Sequence, residues 1–264
     1  MRKKVLSMLL IATLTMTAFA GCGSKEKKNA DATITPTETA TEVPEATQEP
    51  TATIQPEATK APEVTVKPEE LDAAGSVDDL TYKNTLIGFS VTVPENWLMK
   101  GSEDTYDYLV NVTGMASDVD SFKSSLAAQG VNYLCYGIDT QISELGGTNN
   151  ILAQSMLGTM FGGMDVETII ASLSAMIQQQ YVSLGATCTV EEPVKFTVDE
   201  QEVYQVTATA TMTNDAEGNP INQVVRQEYV IFMRNDILVY MAISTAEEDS
   251  AALAQQFVDS LSFQ

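Results

Sequence analysis

The stretch between Tyr204 and Ser244 restricts the fold more than any other. Tyr204, Val206, Ala208, Ala210 and Met212 alternate with Thr207, Thr209 and Thr211, the period of a strand with one buried face. A polar turn, Asn214-Asp215-Ala216-Glu217-Gly218-Asn219-Pro220, leads to a second run through Val225, Tyr229, Ile231 and Met233. Asn235-Asp236 then predicts a tight hairpin into a third strand, Ile237 to Ser244. Links this short cannot carry the chain across a sheet and back, so the strands must pair antiparallel. The expected class is α+β, an antiparallel sheet flanked by helices.

Upstream, Phe89, Val91 and Val93 alternate with Ser90 and Thr92 and stop at Pro94, another half-buried strand. Trp97, the only tryptophan, reads as a core plug beside that turn. Tyr106 to Val112 reads as a further strand. Ser117-x-x-Asp120 opens a helix in capping-box fashion, with Val119, Phe122 and Leu126 on one face and Gly130 as its stop. Val131 to Ile138 reads as a buried strand. A helical insertion is expected over about 148–185. Its first helix is Ile151 to Phe161, apolar nearly all round and broken by Gly162-Gly163. Its second is capped by Asp165, carries Val166, Ile169, Ile170, Leu173, Ile177 and Tyr181 at helical spacing, and closes at Gly185. Thr245-x-x-Glu248 caps a last helix with Leu253, Phe257 and Leu261 on one face.

These elements place the folded domain at 79–264, the length of one domain. Residues 22–78 read as an acidic Thr/Pro/Glu-rich disordered tether. Six of the nine prolines fall in this part of the chain, and Pro44, Pro50, Pro56, Pro62 and Pro68 recur every sixth residue. Without aromatics, such a segment buries too little apolar area to offset its ordering entropy. At ~3.1 Å per residue in polyproline form it would reach on the order of 100 Å. O-linked sugars on its threonines are the functional alternative to a plain spacer.

Residues 1–21 read as an export signal. Arg2, Lys3 and Lys4 precede an apolar run from Val5 to Ala20, too short for a span that needs roughly 20 residues. Ala20-Gly21-Cys22 closes it with small residues and a thiol. The segment resembles the bacterial lipoprotein signal, and Cys22 matches the cysteine that takes a diacylglyceryl group on its sulfur. Phe19 departs from that pattern, where leucine is usual. Ala18-Phe19-Ala20 also fits an ordinary secretory cleavage site. The expected location is the outer, extracytoplasmic face of the cell membrane of a Gram-positive-like bacterium, by lipid anchor.

Removal of the signal takes three of the 14 basic residues and none of the 36 acidic ones, leaving 11 against 36, a formal −25. That charge argues against nucleic acid and against electrostatic docking on anionic lipid. The chain has no histidine, the commonest general base and zinc ligand. It also lacks a GxSxG motif and a Gly-rich phosphate loop. A carboxylate pair could do glycosidase work, but one tryptophan is little to line a sugar cleft. No enzyme activity, no catalytic residue, no cofactor and no metal site is expected. Cys135 and Cys188 lie in strand-like runs; they read as free and buried, with a disulfide as the alternative.

Two motifs carry alternatives. Met156, Met160 and Met164, with Met176 beyond, would stack thioethers on one helix face, a copper(I) arrangement, adaptable core packing, or an exposed Met-rich groove for a partner or greasy ligand. Asp215, Glu217 and Asn219 hint at a calcium loop that Pro220 cuts short, so a polar hairpin is the expectation. Glu191-Glu192 reads as a solvated turn, and Glu247-Glu248-Asp249 as acids at a helix N-terminus.

GFSVTVPENW, the hairpin YVIFMRNDILVYMAIST and the terminal FVDSLSF resemble the α/β/α sandwich superfamily of PsbP and the Mog-type Ran-binding factors, which includes many small bacterial lipoproteins. The resemblance covers about Leu80 to Gln264. It implies a non-enzymatic domain that docks on a protein partner, as an accessory module of an envelope complex. The competing reading is a carrier of a small apolar ligand or metal, using the 148–185 helical pair.

Overall fold

The computed structural model describes residues 67–113, 116, 118–141, 149–214, 220–245 and 250–264. Cys22, the tether to residue 66, the acids of the 215–219 turn and the 246–249 part of the last predicted capping box lie outside these described residues. The first elements are α1 (Pro68–Ala73), β1 (Gly75–Asp78), β2 (Thr81–Asn84), β3 (Phe89–Thr92), β4 (Trp97–Lys100), α2 (Ser102–Thr113) and α3 (Val119–Ala127). Next are β5 (Val131–Asp139), β6 (Asn150–Leu157), a 3-10 turn (Gly158–Phe161), α4 (Val166–Ser183), β7 (Ala186–Val190) and β8 (Val194–Val198). The last are β9 (Gln201–Asn214), β10 (Pro220–Arg234), β11 (Ile237–Thr245), α5 (Ser250–Ser260) and β12 (Ser262–Phe263).

Every strand pairing among the described residues is antiparallel, and for β9, β10 and β11 the short links require it. The large sheet runs β4-β5-β6-β11-β10-β9, and the outer edge of β9 is shared by β7 and β8. Helices α2, α3 and α4 cover one face; α1, α5 and the small sheet β1-β2-β3-β12 cover the other. An antiparallel sheet flanked by helices is therefore the observed class. Phe89, Val91 and Val93 are buried, and Trp97 meets the Phe257 ring edge-on at 5.4 Å between centroids. Asn235 and Asp236 both sit left-handed, at φ 52° and 59°, the geometry of a primed hairpin turn.

Burial on both faces explains the largest departure from expectation. The predicted helix 151–161 is instead β6 and the 3-10 turn, so the 148–185 segment is a strand, a turn and one helix, not a helical pair. A central strand covered on both sides loses its alternation and reads as apolar all round, as a buried helix does. Gly158 ends β6 against the β10–β11 hairpin, its N–H donating to the Asp236 carbonyl at 2.7 Å.

Three boundaries also move. Tyr106 to Val112 belongs to α2, where Tyr106 and Leu109, three apart, face the sheet; the alternation of Tyr106, Tyr108 and Val110 mimicked a strand. The cap of α3 is Asp118, its carboxylate accepting the Ser121 N–H at 2.8 Å, while Ser117, where the sequence places the cap, lies outside the described residues. The folded region includes α1 and β1, which the sequence reading left in the tether: Leu71 is buried in the core, so the domain begins by residue 67 and not at Asp79.

Candidate binding groove

Helix α4 owes its position to two faces of different character. Ile169, Leu173, Ile177 and Tyr181 point into the core against Val206, Ala208 and Tyr229. Asp165 caps the helix, accepting the Thr168 N–H at 2.8 Å, and that bond holds its carboxyl below the ordinary value. The outer face carries small side chains, Ala171, Ser174 and Ala175, which leave a shallow shelf.

Opposite that shelf the sheet edge is broken. β7 and β8 run in the same direction along β9, and Glu191-Glu192-Pro193 leaves the ladder between them. Glu191 remains tied by its N–H to the Thr207 carbonyl at 2.9 Å. Proline and exposed acids on an edge discourage a further strand from adding there. Between this elbow and α4 lies an open groove of about 620 Å³, with Ile170 and Val190 among its apolar lining.

One end of the groove is polar. The β8–β9 register pairs Lys195 with Tyr204, and the first turn of α4 brings Glu167 to both. The Tyr204 hydroxyl donates to Glu167 Oε1 at 2.9 Å, and Lys195 Nζ lies 3.3 Å from the same oxygen and 2.7 Å from Glu202 Oε1. The Glu202 carboxylate, with Tyr204 and Glu167, raises the Lys195 ammonium above its ordinary value; the Tyr204 hydroxyl, more than Lys195, lowers Glu167. Lys195 is thus engaged by two acids. Glu191 and Glu192 are exposed, and among the described residues neither has an ion pair.

Two other polar clusters are tied up internally. Asp72 Oδ1 accepts from the Ser102 hydroxyl at 2.7 Å and the Asn132 amide at 2.6 Å, while its other oxygen pairs with Lys123. This clamp fastens α1 to α2, α3 and β5, beside a cleft of about 540 Å³. On the helix-covered face, Gln227 accepts from Tyr181 at 2.6 Å and from Tyr229, and donates to Ser244 at 2.6 Å. Burial raises the phenols of Tyr181 and Tyr229, which keeps them protonated and donating.

The residues singled out in the sequence do not converge. Met156 is buried in β6, Met160 sits in the 3-10 turn, Met164 is exposed and Met176 is on α4, so no common helix face joins them. Cys135 and Cys188 are free, Cys135 in the core under the small sheet and Cys188 on the helix side, so the sheet separates them. Burial pushes both thiols up. Among the described residues no group of three or more His, Cys, Asp or Glu stands ready to hold a metal. Glu191-Glu192 is a solvated elbow as expected, and it is also the groove rim. Sequence reasoning missed Glu167, Lys195 and Tyr204 and the shelf of Ala171 and Ala175. Only the small residues at helical spacing on a polar face hinted at it.

No protein-family model matches the chain, and no curated protein does. Among solved structures it is similar to cyanobacterial PsbP from Synechocystis sp. PCC 6803, at 13% identity, over 72% of this chain and 95% of that one, with a TM-score of 0.44. It is also similar to LpqN, involved in cell envelope biogenesis of Mycobacterium tuberculosis, at 10% identity over 67% and 83%, TM-score 0.35. A Bacteroides thetaiotaomicron VPI-5482 protein matches at 9% identity and TM-score 0.33; 67% of this chain is covered but only 45% of that one. At such identities the likeness concerns the arrangement of strands and helices and nothing finer.

Proposed function

We propose that this chain is an extracytoplasmic lipoprotein, held on the outer face of the cell membrane through Cys22, whose domain is a non-catalytic module that docks a protein partner. The observation that supports docking is the filled interface beneath α4. Ile169, Leu173, Ile177 and Tyr181 are each 2% exposed or less, and the groove lies outside the helix, open to solvent. Unpacking four such side chains costs on the order of 6–12 kcal/mol. That is the whole binding free energy of a micromolar to nanomolar ligand, about 8 to 12 kcal/mol. A small apolar ligand entering under α4 would gain little, and the helical pair that a carrier was to use is absent.

Native mass spectrometry of the full chain, purified gently from its parent organism, tests both halves. The expected mass is that of the chain from Cys22 onward plus a lipid group and nothing else. An extra mass lost on denaturation would contradict docking in favour of carriage. A chain without lipid on Cys22 would contradict the anchor.

A further inference from the structure

Resting on the docking reading, we infer that the groove between α4 and the Glu191-Glu192-Pro193 elbow receives a short basic segment of a protein partner, with a lysine or arginine at the elbow and small apolar residues on the α4 shelf. The groove lining holds three carboxylates, Glu167, Glu191 and Glu192, against one cation, Lys195. That cation is already shared between Glu167 and Glu202, so it offers nothing to an acidic ligand. The elbow acids are the free charge of the site.

The rest of the lining decides what accompanies that positive charge. Ala171, Ala175, Val190 and Pro193 present apolar surface without bulk, which suits the stem of a long cationic side chain and its small neighbours. The volume of about 620 Å³ falls within the ~300–1,000 Å³ of ligand clefts, room for a few residues and not for a folded surface. Pro193 and the acids block simple strand addition, so the segment is held by charge and apolar contact along the groove. The formal charge of −25 on the chain from Cys22 onward, 11 basic against 36 acidic residues, steers a basic segment toward it over a longer range.

The test titrates the full chain, in detergent, with a fluorescent peptide of alternating lysine and small apolar residues, beside neutral and acidic peptides of equal length. The basic peptide is expected to bind, and added salt to weaken it. Glu191→Lys/Glu192→Lys is expected to weaken it about tenfold or more, and Glu95→Lys/Asp107→Lys, the same charge change at exposed sites elsewhere, far less. Ala175→Trp, at an exposed helix position, fills the shelf and is expected to abolish binding. Equal weakening by both charge-reversed pairs would overturn the inference, since it would show non-specific attraction. So would spermidine binding as tightly as the peptide. A neutral peptide that binds as well as the basic one and is lost on Ala175→Trp would overturn the basic partner and leave docking standing. Failure of every peptide overturns the inference alone if native mass spectrometry returns the bare lipidated chain, and the docking reading with it if a ligand mass is found.

Discussion

Tyr240 on β11 stands directly across from Gln154 on β6, and among the described residues neither the nitrogen nor the oxygen of the Gln154 amide has a hydrogen-bond partner. Both side chains are fully buried on the helix-covered face of the sheet. A buried polar group without a partner costs about 1–3 kcal/mol. Gln154→Met keeps the side-chain length and removes the amide, so it is expected to raise the urea midpoint. Tyr181→Phe removes a bond to Gln227 and is expected to lower stability by ~0.5–1.5 kcal/mol. A loss of stability in Gln154→Met would show that the Gln154 amide is bonded in solution.

Gly158 tolerates no side chain. A Cβ there would lie 2.7 Å from the Asp236 carbonyl oxygen, a backbone atom that the Gly158 N–H already holds. Gly158→Ala is expected to cost about 1–3 kcal/mol by forcing β6 away from the β10–β11 turn. Thermal unfolding measures it, and an unchanged midpoint would contradict the contact.

The Glu228 carboxylate is fully buried, held by the Thr207 hydroxyl at 2.6 Å, Gln205 at 3.2 Å and Arg226 Nε at 3.1 Å. Arg226→Ala strands that charge and is expected to cost on the order of 2–4 kcal/mol. Arg226→Ala with Glu228→Gln should recover part of the loss, because a neutral amide costs less to bury than an unpaired carboxylate. A double variant less stable than Arg226→Ala alone would contradict the pairing.

Asp165 makes part of the stability pH-dependent. Its folded value lies below the ordinary 3.8, because the carboxylate accepts the Thr168 N–H. A depressed acid contributes stability that is present above its unfolded value and is lost as pH falls through the folded one. The melting temperature of the wild-type chain should therefore exceed that of Asp165→Ala near neutral pH, and the gap should narrow in strong acid. A gap that widened on acidification would reverse the sign.

How much of this was legible depended on whether one face of an element meets water. β9 was readable because Thr209 and Thr211 stay partly exposed opposite buried Ala208 and Ala210. β6, buried at seven of eight positions, carried no such contrast and passed for a helix. Helix α1 was hidden because Leu71 is, among the described side chains, its one buried anchor in an acidic, proline-rich stretch. The groove was hidden for a different reason. Glu167 meets Lys195 and Tyr204 across 28 and 37 positions, through a β8–β9 register that no local pattern announces.

Site-specific photo-crosslinking on intact cells tests the docking groove most directly, with the reactive residue at Ala175 on the shelf or at Val224, exposed on β10 and not part of the groove lining. The account predicts one discrete protein adduct from Ala175, none from Val224, and loss of the adduct when Glu191→Lys/Glu192→Lys is combined with it. No adduct from Ala175, or the same adducts from both positions, would contradict it.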